Sequence, residues 1–213
     1  MIQEIHLRDA TEADLPSITA VHIEAFSDAA LTKLGRGAVH RYYEWQLKGP
    51  HERLALVAFL GSKCMGFCFG GVFRGATSGF LHRNQLYLCG CVMLRPWLLW
   101  NPVIRERLTS SCRILKRKRL QAVETRTTKE TQKSERSFGI LALAVSPEAH
   151  GQGIGRRLMV ETERIATQLQ FRQMDLSVRI DNYRAIRFYE GLGWFKYMEM
   201  ETWNGVMKRN LQR

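Results

Sequence analysis

Gly151, Gly153 and Gly155 stand at alternating positions between two contrasting stretches. Before them runs Ile140-Leu-Ala-Leu-Ala-Val145, continuous and apolar, as a buried strand is. Pro147 ends that run, because its ring nitrogen donates nothing to a strand ladder. After them Leu158, Ile165 and Leu169 recur at helical spacing, with Arg157, Glu161, Glu163 and Arg164 between. A strand, a glycine turn and a helix start together make an anion cradle. Glycine lets the backbone turn tightly and approach a ligand closely. The first helical amides lack intrahelical partners and carry the positive end of the dipole, so a phosphate is stabilised there without side-chain charge. Arg156 and Arg157 add positive charge at the same end. No Gly-Lys-Ser/Thr follows, which excludes a P-loop, and the third glycine misses the spacing of the dinucleotide fingerprint. On its own such a turn also fits a plain tight turn.

A second block, Asn182-Tyr-Arg-Ala-Ile-Arg-Phe-Tyr-Glu-Gly-Leu-Gly-Trp194, changes the weight of the first. Val145-Ser-Pro-Glu-Ala-His-Gly-Gln-Gly-Ile-Gly-Arg-Arg-Leu158 resembles the acyl-CoA signature of the GNAT superfamily of N-acyltransferases, Val-x-Pro followed by Arg/Gln-x-x-Gly-x-Gly/Ala. His150 stands where that pattern has Arg or Gln. The second block is similar to the family's Asn-x-x-Ala-x-x-Phe-Tyr-x-x-x-Gly-Phe. The resemblance is strong from 137 to 200 and only topological before that.

The resemblance implies an α/β fold with a mixed, splayed central sheet flanked by helices. It implies acyl-CoA as co-substrate, acetyl-CoA or a longer chain, and no metal. By the same resemblance, backbone amides over Leu143, Ala144 and Val145 meet the thioester carbonyl and pantetheine. The turn of His150, Gly151, Gln152, Gly153, Ile154, Gly155 and Arg156 takes the pyrophosphate, and Asn182 touches the pantetheine arm. Tyr189 falls where the family places the general acid for the leaving thiolate. The bland readings stand beside these: Asn182 is an N-cap, and Tyr189 is a core tyrosine beside Phe188. Asp28, His40, Tyr42 and Glu44 are the candidates for acceptor contact, with His82 further on; the rival reading of that stretch is a packed amphipathic helix. The general base is left open. Many relatives carry a Glu on the signature strand where this chain has Gly139, so Glu135, His82, Asp28 and Glu44 are candidates in no firm order.

The elements that must position these residues are legible in the pattern. Residues 2–9 alternate as a strand, and Thr11 with Asp14 forms a capping-box-like opening for a helix. A helix is expected over 37–48, ended by Gly49-Pro50. Residues 54–60 and 63–73 read as a hairpin about Gly61-Ser62. Residues 173–180 read as a strand parallel to the signature strand, joined to it by a right-handed crossover. Residues 194–200 and 205–211 close the chain as antiparallel strands.

Length and composition bound the rest. The 213 residues suit one domain, 1–213, with an insertion over 74–137, read as an apolar helical lid followed by a polar loop. The apolar run 86–104 is broken by Arg95, Pro96 and Pro102, which argues against a spanning helix. Peripheral membrane contact through Trp97, Trp100 and the Lys116–Arg119 cluster stays open. The net charge of +12 steers anions, CoA among them; the basic cluster lacks interleaved aromatics, so nucleic acid is not favoured. The five cysteines are expected reduced and packed, with Cys64 and Cys68 both facing the core, in a cytoplasmic monomer or homodimer. The activity expected is transfer of an acyl group from acyl-CoA to a primary amine of a small molecule, amino sugar or peptide. The alternatives are a non-catalytic acyl-CoA-binding protein and an acetyltransferase of a nucleic-acid-associated protein.

Overall fold

The computed structural model describes residues 4–50, 52–72, 76–94, 137–199 and 201–211. In chain order the elements are β1 (Ile5–Asp9), α1 (Leu15–Ala25), α2 (Ala30–Lys33), α3 (Arg36–Lys48), β2 (Glu52–Leu60) and β3 (Lys63–Val72). Next come α4 (Ala76–Arg83), α5 (Gln85–Met93), β4 (Phe138–Val145), α6 (Ile154–Gln168), β5 (Gln173–Ser177), α7 (Tyr183–Glu190), β6 (Phe195–Glu199) and β7 (Thr202–Asn210). The sheet has seven strands in the order β1-β2-β3-β4-β5-β7-β6. β4 and β5 are parallel and every other neighbouring pair is antiparallel. This is the mixed, splayed sheet flanked by helices that the sequence implies.

Each face of the sheet is buried by helices. On one side α1 and α3 bring Ile18, Val39 and Tyr43 against Val57, Phe67 and Phe69. On the other, α6 and α7 bring Leu158, Met159 and Tyr189 against Leu56, Cys68, Phe138 and Met174. Burial on both faces explains why β2, β3 and β4 read as unbroken apolar runs.

Two irregularities in register shape the middle of the sheet. Ala58 pairs Gly66 but Phe59 pairs Cys64, so Met65 is one residue too many on β3. Phe69 pairs Ala142 but Gly70 pairs Ile140, so Leu141 is one too many on β4. The β3 bulge decides which core each cysteine of this strand enters. Cys64 and Cys68 are both buried, but the extra residue puts them on opposite faces, Cys64 among Phe67 and Phe69 and Cys68 under α6. Cys89 departs from the expected packing, since it is exposed on α5; Cys112 lies outside the described residues.

Further differences concern element ends. The chain after Thr11 enters a 3-10 turn (Glu12–Asp14) before α1 begins. Asp14 accepts from the Thr11 amide and hydroxyl at 2.8 Å each and from both Arg8 guanidinium nitrogens at 2.7 Å, tying β1 to the helix entry. β5 ends at Ser177, short of the expected Ile180. Its partner β7 bends at Gly205, whose φ is +91°, and the Val178 amide donates to the Gly205 carbonyl at 2.8 Å as pairing ends. A Cβ at Gly205 would lie 2.3 Å from the Val178 carbonyl oxygen. Gly205→Ala is therefore expected to lower unfolding stability by about 2 kcal/mol or more, read as a drop in urea midpoint at unchanged slope.

Two buried ionisable groups, His22 between α1 and α3 and Asp14 at the entry to α1, contribute to the response to acid. His22 is 6% exposed, and its Nδ1 lies 2.8 Å from the Tyr43 hydroxyl. Burial lowers its pKa to about 4. Below the ordinary value near 6.5 the unfolded chain takes up a proton that the folded chain refuses until about pH 4, so stability falls across that window. Asp14, held down to about 2 by the Arg8 guanidinium, adds a second loss as pH falls from its ordinary 3.8 to about 2. Urea unfolding between pH 7 and 4 should show a loss of up to about 3 kcal/mol from His22. His22→Gln should flatten that part of the curve and leave the part below pH 4 in place.

Among the described residues no helix is long and apolar enough to cross a membrane. The expectations for Glu135, for 95–104 and for the basic cluster at 116–119 lie outside the described residues.

Candidate active site

The parallel pairing of β4 with β5 covers only Phe138, Gly139 and Ile140. The bulge at Leu141 turns β4 immediately afterwards, and the strand runs on to Val145 paired only with β3. A cleft of about 650 Å³ occupies the resulting split. Its walls are Leu143 and Val145 of β4, the start of α6, and Ala185, Phe188 and Tyr189 of α7, with Ala25 of α1 completing one side.

At one end lies the glycine turn. Gly151 and Gly153 have φ of +81° and +78°, a left-handed backbone that glycine adopts without strain. The first helical bond of α6 runs from the Arg157 amide to the Gly153 carbonyl at 3.0 Å. The amides of Ile154, Gly155 and Arg156 precede it and have no intrahelical acceptor. A Cβ at Gly155 would meet the Phe188 ring at 3.4 Å and Val145 at 3.6 Å, ordinary contact distances, so only a side chain larger than alanine's would crowd the cleft there.

His150 joins the strand end to α7. Its Nδ1 lies 3.2 Å from an Arg184 nitrogen and its Nε2 lies 3.2 Å from the Val145 carbonyl. Arginine can only donate, so Nδ1 accepts and Nε2–H donates to the carbonyl. A single neutral tautomer satisfies both contacts.

On α7, Asn182 caps the helix by accepting from the Ala185 amide at 3.1 Å, and it also lines the cleft. Tyr189 is 9% exposed, packed near Phe188 and Trp194, and lines the cleft as well. Burial, reinforced by nearby Cys68, raises its pKa above the phenol value of 10.0, so the hydroxyl keeps its proton at neutral pH. For both residues the bland role and the cleft-lining position hold together.

The cleft brings together Leu143, Val145, His150, Gly151, Gly153, Ile154, Gly155, Arg156, Asn182 and Tyr189. Ala144 is buried against the opposite core, and Gln152 is exposed; neither lines the cleft. The acceptor candidates lie elsewhere. Asp28 is exposed and paired with Lys33 at 3.2 Å, and Glu44 is paired with Lys48 at 3.1 Å. Tyr42 packs on Tyr43 and Phe80, His40 is half-buried on α3, and His82 is exposed on α4.

Two carboxylates escape sequence reasoning. Asp175 of β5 pairs with Gly139, and its Oδ2 lies 3.8 Å from where a Gly139 Cβ would stand; Ser137 donates to its other oxygen. Glu24, in the last turn of α1, accepts from the Ser146 hydroxyl at 2.8 Å. Neither had a local signal: one needs the β4–β5 register, the other the docking of α1 on the strand end. Among the described residues no group of three or more His, Cys, Asp or Glu is placed to hold a metal ion.

Residues 114–194 match the model of the Acetyltransferase (GNAT) family. No curated protein matches the chain by sequence. Solved structures carry the same fold. The ribosomal-protein-S18-alanine N-acetyltransferase from Escherichia coli is 13% identical, with a TM-score of 0.57, covering 99% of this chain and 96% of that one. The PaiA N-acetyltransferase from Thermoplasma acidophilum, solved with coenzyme A, is 14% identical, with a TM-score of 0.57 and coverage of 97% and 99%. The Salmonella typhimurium protein yncA, solved with acetyl-CoA, is 15% identical, with a TM-score of 0.55 and coverage of 98% and 94%.

Proposed function

We propose that this chain is an acyl-CoA-dependent N-acyltransferase that moves an acetyl group, or a longer acyl group, directly to a primary amine of a small molecule, amino sugar or peptide. The observation that carries this reading is one cleft with partnerless helix amides at one end and a protonated phenol further in. The turn from His150 to Arg156 holds the diphosphate, with Arg184 and Arg187 adding charge from α7. The open edge of β4 over Leu143 to Val145 offers backbone groups to the pantetheine amides and the thioester carbonyl. An oxyanion forming there is stabilised by amides already fixed in place by the β3 pairing. Asn182 adds a polar contact to the arm.

Tyr189 supplies the proton. A leaving thiolate builds charge as the C–S bond breaks, and a phenol held neutral by burial shares its proton at that moment. His150, where a phosphate-binding Arg or Gln would stand, acts through position: it fixes the Val145 carbonyl and Arg184 on either side of the turn.

A second reading, a protein that binds acyl-CoA without turnover, draws support from Gly139, which brings no carboxylate to the signature strand. The purified chain should be incubated with acetyl-, butyryl- and palmitoyl-CoA and a panel of amines, with thiol release followed and the amines weighed by mass spectrometry. Thiol release matched by an acylated amine supports the enzyme. Tight acyl-CoA binding with no acylated product across the panel supports the binding protein.

A further inference from the structure

The sequence of α5, Gln-Leu-Tyr-Leu-Cys-Gly-Cys-Val-Met, holds no charged residue, yet the helix lies at the surface. Leu86, Cys89, Gly90, Met93 and Leu94 recur at helical spacing, so they form one stripe along it. Leu86, Met93 and Leu94 are 85%, 81% and 80% exposed. Tyr87, off that stripe, packs on α3: its hydroxyl leaves no room for a Cβ at Gly37, and the Arg41 guanidinium stands 4.4 Å from the centre of its ring. A helix docked on a domain ordinarily shows water its polar side, whereas α5 shows water a row of aliphatic side chains. The charge nearby has one sign. His82 and Arg83, both exposed, immediately precede the helix, and no acidic residue occurs from Ala76 to Leu94. Arg83 stands 5.8 Å from the Trp45 ring, so it and Arg41 both lie where α4 and α5 meet α3.

We propose that this stripe docks on an anionic membrane surface, with Leu86, Met93 and Leu94 entering the acyl boundary and Arg41 and Arg83 meeting lipid phosphates. Aliphatic side chains standing out from a convex helix gain free energy by entering a fluid apolar layer. Cations at the flank of the helix meet negative headgroups, and a chain of net charge +12 is drawn toward them. The nine residues of α5 rise only about 14 Å. A bilayer core is about 30 Å thick, so the helix lies in the interface rather than across it. A second copy fits less well. Two facing stripes would bring like-charged flanks together, and a stable interface takes roughly 20 residues a side. None of these residues lines the cleft, so the docking stands or falls apart from the acyltransferase reading.

Flotation of the full chain with vesicles tests it, using phosphatidylcholine alone and phosphatidylcholine with about a third phosphatidylglycerol. The mixed vesicles should bind at least about tenfold more tightly, and raising salt from about 0.1 to about 0.5 M should weaken that binding without abolishing it. Leu86→Ser with Met93→Ser should weaken it by about a hundredfold, and Arg83→Gln by about fivefold. All three side chains are exposed, so the urea midpoints of these variants should stay near that of the wild-type chain. Absence of vesicle binding, equal binding to both vesicle types, binding that survives the double substitution, or binding lost entirely at the higher salt would overturn the proposal. So would a dimer in sedimentation that the double substitution splits, which would assign the stripe to a second copy.

Discussion

Tyr189→Phe should lower kcat by about a hundred- to a thousandfold while the dissociation constant for acetyl-CoA changes by less than about twofold. The substitution removes one oxygen from a ring that stays packed near Phe188 and Trp194, so the cleft keeps its shape. What is lost is the proton for the leaving thiolate, an interaction made only as the C–S bond breaks. Such a loss falls on kcat and spares ground-state binding. Steady-state kinetics beside calorimetry on the same preparation checks it. Equal losses in kcat and in acetyl-CoA affinity would assign Tyr189 to packing alone.

The largest effect on stability is expected at Phe67. It is fully buried on β3, with its ring 5.1 Å from Tyr43 and 5.8 Å from Phe69, and it pairs with Ala144 of β4. Phe67→Ala opens a cavity where α1 and α3 meet the sheet, and should cost about 3 to 5 kcal/mol in urea unfolding, or roughly 10 °C in Tm. Leu86→Ala is the control. Leu86 is 85% exposed on α5, and its truncation should change stability by less than about 0.5 kcal/mol. A small effect at Phe67 would mean that this core collapses around the missing ring.

How much of this was legible in the sequence depends on how local each feature is. The glycine turn, the Asn182 cap and the β2–β3 hairpin are written in adjacent residues, and the structure carries them where the pattern puts them. The two bulges are not local. Nothing in Lys-Cys-Met-Gly-Phe marks Met65 as the extra residue, because a bulge is defined only against the partner strand. That is why the spacing of Cys64 and Cys68 shows that both are buried but not that they face different cores. The end of β5 is likewise set by Gly205, far along the chain on β7. The placing of the carboxylates was the least legible part. Asp28 and Glu44 are candidates because the family resemblance puts that loop and helix at the acceptor groove, yet each is paired to a nearby lysine. Glu24 carries no local signal, since only the docking of α1 on the end of β4 brings it to Ser146.

The proposition on which everything rests is that the split between β4 and β5 holds coenzyme A. Calorimetric titration of the purified chain with acetyl-CoA, repeated with Gly155→Trp, tests it most directly, because a side chain at Gly155 grows from between Phe188 and Val145 into the cleft. The expected result is a single site with a dissociation constant on the order of micromolar to a few hundred micromolar in the wild-type chain, and no measurable heat in the folded variant. No binding by the wild-type chain, or the same binding by Gly155→Trp, would contradict the account.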